Sequence, residues 1–125
     1  MMPIKVKRVY DAVEKENDGT RILIMRLWPR GIGREKNKID EWKKVLSPCR
    51  DTLNSWNNSK KTEQDWKLYL SKFQPQMKGK EESHEIQKLH VRSGNGEVIT
   101  LLCGYKHETH CHRYVIKSMI DEQPK

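Results

Sequence analysis

The sequence has little of the material from which large cores are built. Hydrophobic residues make up 34% of its 125 positions, and there is one phenylalanine. Long apolar runs are missing. The densest stretches, such as residues 22–25, fall far short of the roughly 20 residues that cross a bilayer, which excludes a membrane-spanning helix. A basic segment followed by an apolar one is also missing from the start, because Lys5, Lys7 and Arg8 lie inside the first apolar segment. The expected compartment is the cytosol. Three cysteines, Cys49, Cys103 and Cys111, are an odd number, which in a cytosolic chain argues against a disulfide framework. There is no internal repeat and no low-complexity linker. A length of 125 residues suits one domain, with a core over about residues 3–120 and a frayed tail after Asp121.

What is present is charge and aromatic side chains. Lys and Arg number 25 against 17 Asp and Glu, a formal net charge of +8. The excess is spread out, +4 over residues 1–36, +4 over 37–92 and 0 over 93–125. It biases the protein toward anionic partners without the concentrated patch of a dedicated nucleic-acid binder. Four Trp and four Tyr need something to pack against, which argues for a folded chain.

Hydrophobic periodicity gives the elements. Ile4, Val6, Arg8 and Tyr10 alternate with Lys5, Lys7 and Val9, the period of a strand. Residues 22–25 are apolar on both faces and read as a covered central strand, as do residues 98–103. Pro29, Gly31 and Gly33 make residues 26–33 a shaped loop. Between the strands the pattern predicts helices. Asp40 is expected to cap a short turn carrying Trp42, Val45 and Leu46. Ser47-Pro48 marks a second start, with Cys49, Leu53 and Trp56 on one stripe. Thr62 and Asp65 cap a third helix, striped by Trp66, Tyr69, Leu70 and Phe73, which Pro75 is expected to stop. A weaker helix covers about residues 80–91, with His84 and His90 on its surface. Thr109 is expected to cap a last helix bearing Val115, Ile116, Met119 and Ile120.

Strands separated by helices imply an α/β fold with a small, largely parallel sheet covered by helices. Ligands bind beyond the carboxyl ends of such strands. Three polar segments fall there: residues 8–11, 26–33 and 103–113. If the strands are parallel, the three segments share one edge.

The segment from Cys103 to Arg113 is the richest in chemistry. One reading is anion binding, with the amides at the start of the last helix, its dipole, and Arg113, Arg26 and Arg30 holding a phosphate-type group. A second is a metal held by Cys103, His107, His110, Cys111 or His112, although no pair has the regular spacing of a zinc motif, so no metal or other cofactor is assigned. A third is nucleophilic catalysis by Cys111 or Cys103 with His112 or His107 as base. Cys103 to Arg113 is Cys-x9-Arg, unlike the Cys-x5-Arg cradle of cysteine phosphatases. Against these stands a bland reading, in which Cys103 finishes a buried strand as a small apolar residue. Arg26 follows an apolar strand and needs either a ligand or an ion-pair partner such as Asp11 or Glu108. Tyr10 and Trp28 are candidates to line the pocket, Trp28 also as a stacking surface for a base. Trp42, Trp56 and Trp66 are expected in the core.

Lys7-Arg8-Val9-Tyr10-Asp11, the run from Arg21 to Gly31 with its Arg-Leu-Trp-Pro-Arg-Gly, and Asp40-Glu41-Trp42 resemble the YeaO-like proteins, a bacterial family of unknown function. Cys111-His112-Arg113 resembles the signature of the broader family around them. The similarity covers about residues 3–120. It implies an α/β fold and a cytosolic protein and carries over no activity. In YeaO-like proteins Asn-His often stands where this chain has Cys111-His112, which implies that the thiol is dispensable for what the family shares and puts His112 and the arginines ahead.

The sequence thus leads to a phosphate-type anion site, for a nucleotide or nucleic acid, at the carboxyl edge of the sheet. Arg26, Arg30 and Arg113 bind the anion, His112 and Cys111 are the candidates for chemistry, and Tyr10, Trp28 and Cys103 line the pocket. Two other readings remain. One is a non-catalytic nucleic-acid-binding module, resting on the +8 charge and an exposed Trp28. The other is an interaction protein whose motif residues form a structural ion-pair network.

Overall fold

The computed structural model describes residues 4–104 and 110–123. Strands β1 (Lys5–Arg8), β2 (Thr20–Leu23), β3 (Glu41–Trp42) and β4 (Ile99–Cys103) form one sheet in the order β1-β4-β2-β3, with every neighbouring pair parallel. Helices α1 (Lys15–Asp18), α2 (Arg50–Asn57), α3 (Glu63–Gln76), α4 (Lys80–Gly94) and α5 (His112–Asp121) complete the α/β fold. The central strand β4 is buried along its whole length, as a parallel strand flanked on both edges and covered on both faces must be. The register sets Arg8 beside Cys103 and Leu23 beside Leu102. The carboxyl ends of β1, β4 and β2 therefore lie side by side, so the three polar segments start from one edge of the sheet. No helix among the described residues is long and apolar enough to cross a membrane.

Successive strand residues point to opposite faces, and the two faces are covered differently. Ile22, Ile99 and Leu101 pack with Trp56, Trp66, Tyr69, Phe73, Leu89, Ile116 and Ile120 of the helices. Leu23 and Leu102 face the other way, onto Val9, Ile32, Ile39, Trp28 and Trp42. The loop after β2 thus does for one face what four helices do for the other. A buried ion pair pins it there. Arg21 is fully buried, its guanidinium bonded to Asp18 and its Nε donating to the carbonyls of Asn37 and Lys38 at 3.2 Å each.

Several local expectations are corrected. Asp40 does not cap a helix: its carboxylate accepts the backbone N–H of Arg21 at 2.8 Å, and Glu41–Trp42 pairs as the edge strand β3. Pairing with β2 outweighs a local pattern only a few residues long. Ser47 is no N-cap either, since its hydroxyl donates to the Lys44 carbonyl at 2.6 Å and Cys49 stands at the cap of α2. Pro75 does not stop α3. It lies in the last turn, where the N–H of Met77 still reaches the Phe73 carbonyl at 3.1 Å. The Thr62–Asp65 capping box forms as expected. His90 is buried, its Nδ1 2.8 Å from the Ile120 carbonyl, so it ties α4 to α5 instead of facing solvent. Trp56 and Trp66 are core residues, and Trp42 is half-buried with its Nε1 donating to the Met25 carbonyl at 2.7 Å.

Candidate functional site

Cys103 ends β4 on the same face as Ile99 and Leu101, so its side chain points at the helices. Helix α5 begins directly opposite. Cys111 is its N-cap residue, with extended backbone (φ −144°, ψ 147°), and His112 and Arg113 are its first two residues. Thr109, expected as the cap, lies outside the described residues, as do His107 and Glu108. Cys103, Cys111, His112 and Arg113 are all buried.

This return of the chain brings three ligating side chains together. The Sγ atoms of Cys103 and Cys111 lie 3.3 Å apart, without a disulfide bond. His112 Nδ1 lies 3.8 Å from Cys103 Sγ and 3.7 Å from Cys111 Sγ. The other ring nitrogen, Nε2, is 2.5 Å from the Ile24 carbonyl oxygen. A carbonyl only accepts, so Nε2 carries hydrogen, and Nδ1 is left to accept from a thiol or to bind an ion. Phe73 stands edge-on to the imidazole, centroids 5.9 Å apart, which holds the ring orientation.

The electrostatics favour negative charge on sulfur. The Cys111 thiol is held well below its ordinary value, first by its hydrogen bond with Cys103 and then by its contacts with His112 and the backbone N–H of Arg113, against the opposing effect of burial. Burial pulls the Arg113 guanidinium down, but negative charge at Cys111, the Tyr114 contact and Cys103 outweigh it and raise it. The guanidinium also lies 4.9 Å from the Tyr114 ring centroid.

The remaining predicted residues lie on the segments that follow β1 and β2. A Cβ added to Gly104 would meet Met25 Cε at 3.2 Å and Tyr10 Cε2 at 3.4 Å, so the ends of β1, β2 and β4 touch here. The Tyr10 hydroxyl donates to the Arg30 carbonyl at 3.0 Å, which fastens the 26–33 loop to the end of β1. Arg26 and Arg30 are exposed on that loop, and among the described residues neither makes an ion pair. Asp11 is not the partner of Arg26, because its carboxylate accepts the Arg8 backbone N–H at 2.9 Å. Trp28 is half-buried, not exposed. Its Nε1 donates to the Ile32 carbonyl at 2.7 Å and its ring makes a T-shaped contact with Trp42, so it helps to pack the loop onto the sheet. His110 leaves the cluster altogether, stacking on Trp66 at 4.8 Å and reaching Glu63 at 3.0 Å. Sequence reasoning missed the Ile24 carbonyl, since no side-chain pattern signals a backbone acceptor.

A family model described as the active DUF488-N3 subclade matches residues 4–124. The uncharacterized protein YeaO of Escherichia coli K12 is 50% identical over 50 residues, 40% of this chain and 43% of that protein, so the matched part spans less than half of that relative. The uncharacterized protein Rv3073c of Mycobacterium tuberculosis H37Rv is 26% identical over 118 residues, 94% of this chain and 93% of the relative, and Mb3100c of Mycobacterium bovis matches to the same extent. No solved structure matches. The chain is a YeaO-like protein and belongs to the DUF488 family, in its DUF488-N3 subclade.

Proposed function

We propose that this protein is an enzyme that acts on a phosphate-type anion, such as a nucleotide or the backbone of a nucleic acid, at the carboxyl edge of its sheet. Its reactive pair is Cys111 and His112. One observation carries the reading: a sulfur at the N-cap of α5 faces an imidazole nitrogen whose opposite nitrogen is fixed on a backbone carbonyl. That is the arrangement of a nucleophile or ligand, its proton acceptor and the group that orients the acceptor. Arg113 adds positive charge from within, and Arg26 and Arg30 add it on the loop after β2, where an anionic substrate would arrive.

A thermal-shift series tests it. Inorganic phosphate, sulfate, nucleoside monophosphates and a short oligonucleotide would be added to the wild type, to Arg113→Lys and to Cys111→Ser. A ligand at 100 times its Kd stabilises by about 2.7 kcal/mol, a rise of several degrees for a domain of this size. Stabilisation by a phosphate-bearing ligand that Arg113→Lys weakens is the expected result. A flat series with all three proteins would reject the reading.

A further inference from the structure

We infer that Cys103, Cys111 and His112 together bind one zinc ion, with a fourth coordination position that none of these three side chains fills. This goes beyond the reading above, in which the Cys111 sulfur itself is the reactive atom. With zinc bound, both sulfurs are ligands and the open position is what meets the substrate.

The donor atoms have the dimensions that zinc requires. Sγ of Cys103, Sγ of Cys111 and Nδ1 of His112 form a triangle with sides of 3.3, 3.7 and 3.8 Å. One face of a tetrahedral zinc site has sides of about 3.5–3.8 Å, given bonds of about 2.3 Å to sulfur and 2.0–2.1 Å to nitrogen. The circle through the three atoms has a radius of about 2.1 Å, so an ion reaches all of them at those bond lengths with little movement of any donor. No other group of three His, Cys, Asp or Glu ligand atoms comes together in this way among the described residues.

Three further observations point the same way. Two sulfurs and an imidazole are the soft-to-borderline donors that select zinc over magnesium or calcium. All three residues are buried and sit at the ends of regular elements, Cys103 on β4 and the other two at the start of α5, so the donors are held in place before any ion arrives. The Nε2–H of His112 already donates to the Ile24 carbonyl, the outer hydrogen bond that metal-binding histidines use to fix ring orientation. Charge then explains what the open position takes. Two thiolates neutralise Zn²⁺, and the neighbouring Arg113 leaves the centre with one positive charge, which suits hydroxide or a phosphate oxygen. Three protein ligands with an open fourth position are the pattern of catalytic zinc sites.

The test uses the full chain, reduced and freed of metal by chelation, with the thiols counted under denaturing conditions. Cobalt(II) is added as a spectroscopic probe and zinc is titrated in competition with a chromophoric chelator. The expected result is one ion per chain, a thiolate-to-cobalt charge-transfer band together with the intense visible bands of a four-coordinate site, and displacement of cobalt by zinc. Cys103→Ser, Cys111→Ser and His112→Gln should each weaken zinc binding by at least tenfold, while Cys49→Ser, which alters the cysteine outside the cluster, should leave it unchanged. The wild-type cobalt spectrum stands even if a variant does not fold. Less than a tenth of an ion per chain with all three thiols reduced, or a cobalt spectrum without a thiolate band, overturns the inference. Its failure is separable from that of the preceding reading. Stabilisation of the metal-free protein by phosphate, with no zinc binding, rejects the ion alone. Stoichiometric zinc with no response to any phosphate-bearing ligand rejects the anion reading alone.

Discussion

His112 Nε2 lies 2.5 Å from the carbonyl oxygen of Ile24, and this contact joins the first residue of α5 to the chain just beyond β2. The carbonyl belongs to the residue after the last paired position of the strand, where the chain leaves the sheet for the 26–33 loop. Helix, strand end and loop are thereby fixed to one another through a single ring, and the opposite nitrogen of that ring is aimed at two sulfurs.

Replacing that ring should therefore cost stability as well as chemistry. His112→Phe keeps most of the volume and leaves the Ile24 carbonyl buried without its donor. An unsatisfied buried acceptor costs about 1–3 kcal/mol. Urea unfolding of wild type and variant is expected to show a loss in this range with an unchanged slope. A loss below about 0.5 kcal/mol, the scatter of neutral surface changes, would mean that the contact is not made in solution.

At the other end of the sheet, Asp18 and Arg21 form a buried pair, with Lys7 3.2 Å from the same carboxylate. Removing one partner of such a pair strands the other charge, at a cost of about 3–5 kcal/mol. Asp18→Ala should approach that figure, and it should also release residues 34–40, because Arg21 is what holds the Asn37 and Lys38 carbonyls. Hydrogen exchange at those amides is the second readout, and unchanged protection would show that the loop is held by its apolar contacts alone.

These two examples show what was legible in the sequence. The fold class was, because residues 22–25 and 98–103 carry a local apolar signal that survives in the structure. The shared edge followed only on the condition that the strands are parallel neighbours, which β1, β4 and β2 meet. The cluster was legible only in part. Cys103 and Cys111 are eight positions apart, a spacing that matches no ligand motif, and they meet because a strand and the next helix run back past each other. Cys111-His112 looks wrong for one helix face, yet Cys111 is at the cap, with extended backbone, so its side chain is free of the helical spacing. Arg21 and His90 were missed for a common reason. A buried polar side chain depends on partners far away in sequence, here the Asn37, Lys38 and Ile120 carbonyls.

Acid should weaken the fold through the carboxylates around Arg92. Glu41 and Glu97 both hydrogen-bond its guanidinium, at 2.6 to 3.0 Å, and in each case that bond is the main reason the carboxyl is held below its ordinary value. A carboxylate with a lowered folded value contributes stability above its unfolded value, about 4.3 for Glu, and loses that contribution as the pH falls through the folded value. Stability should thus be flat near neutrality with respect to these groups and decline below about pH 4.3. Arg92→Met removes the cause of the lowering and should flatten the acid limb. These groups are partly exposed, so the difference at neutral pH is on the order of 1 kcal/mol. Urea midpoints from pH 7 to pH 3 check it, and parallel curves for wild type and variant would assign the acid limb to other groups such as Asp18.

The loop arginines separate binding from folding. Arg26 and Arg30 are exposed and make no ion pair among the described residues, so Arg26→Ala and Arg30→Ala should each change stability by less than about 0.5 kcal/mol. If they meet an incoming phosphate, each should weaken its binding, and the weakening should shrink as salt screens the charge. Arg113 is buried beside the sulfurs, so a change there should alter stability and binding together. The measurement is phosphate affinity by calorimetry at low and high salt for Arg26→Ala, Arg30→Ala and Arg113→Lys, alongside their melting temperatures. Weakened affinity with unchanged melting for Arg26→Ala or Arg30→Ala places those residues on the path of the anion. Unchanged affinity in both would confine recognition to the buried charge, because an exposed cation that touches the ligand cannot be removed without cost.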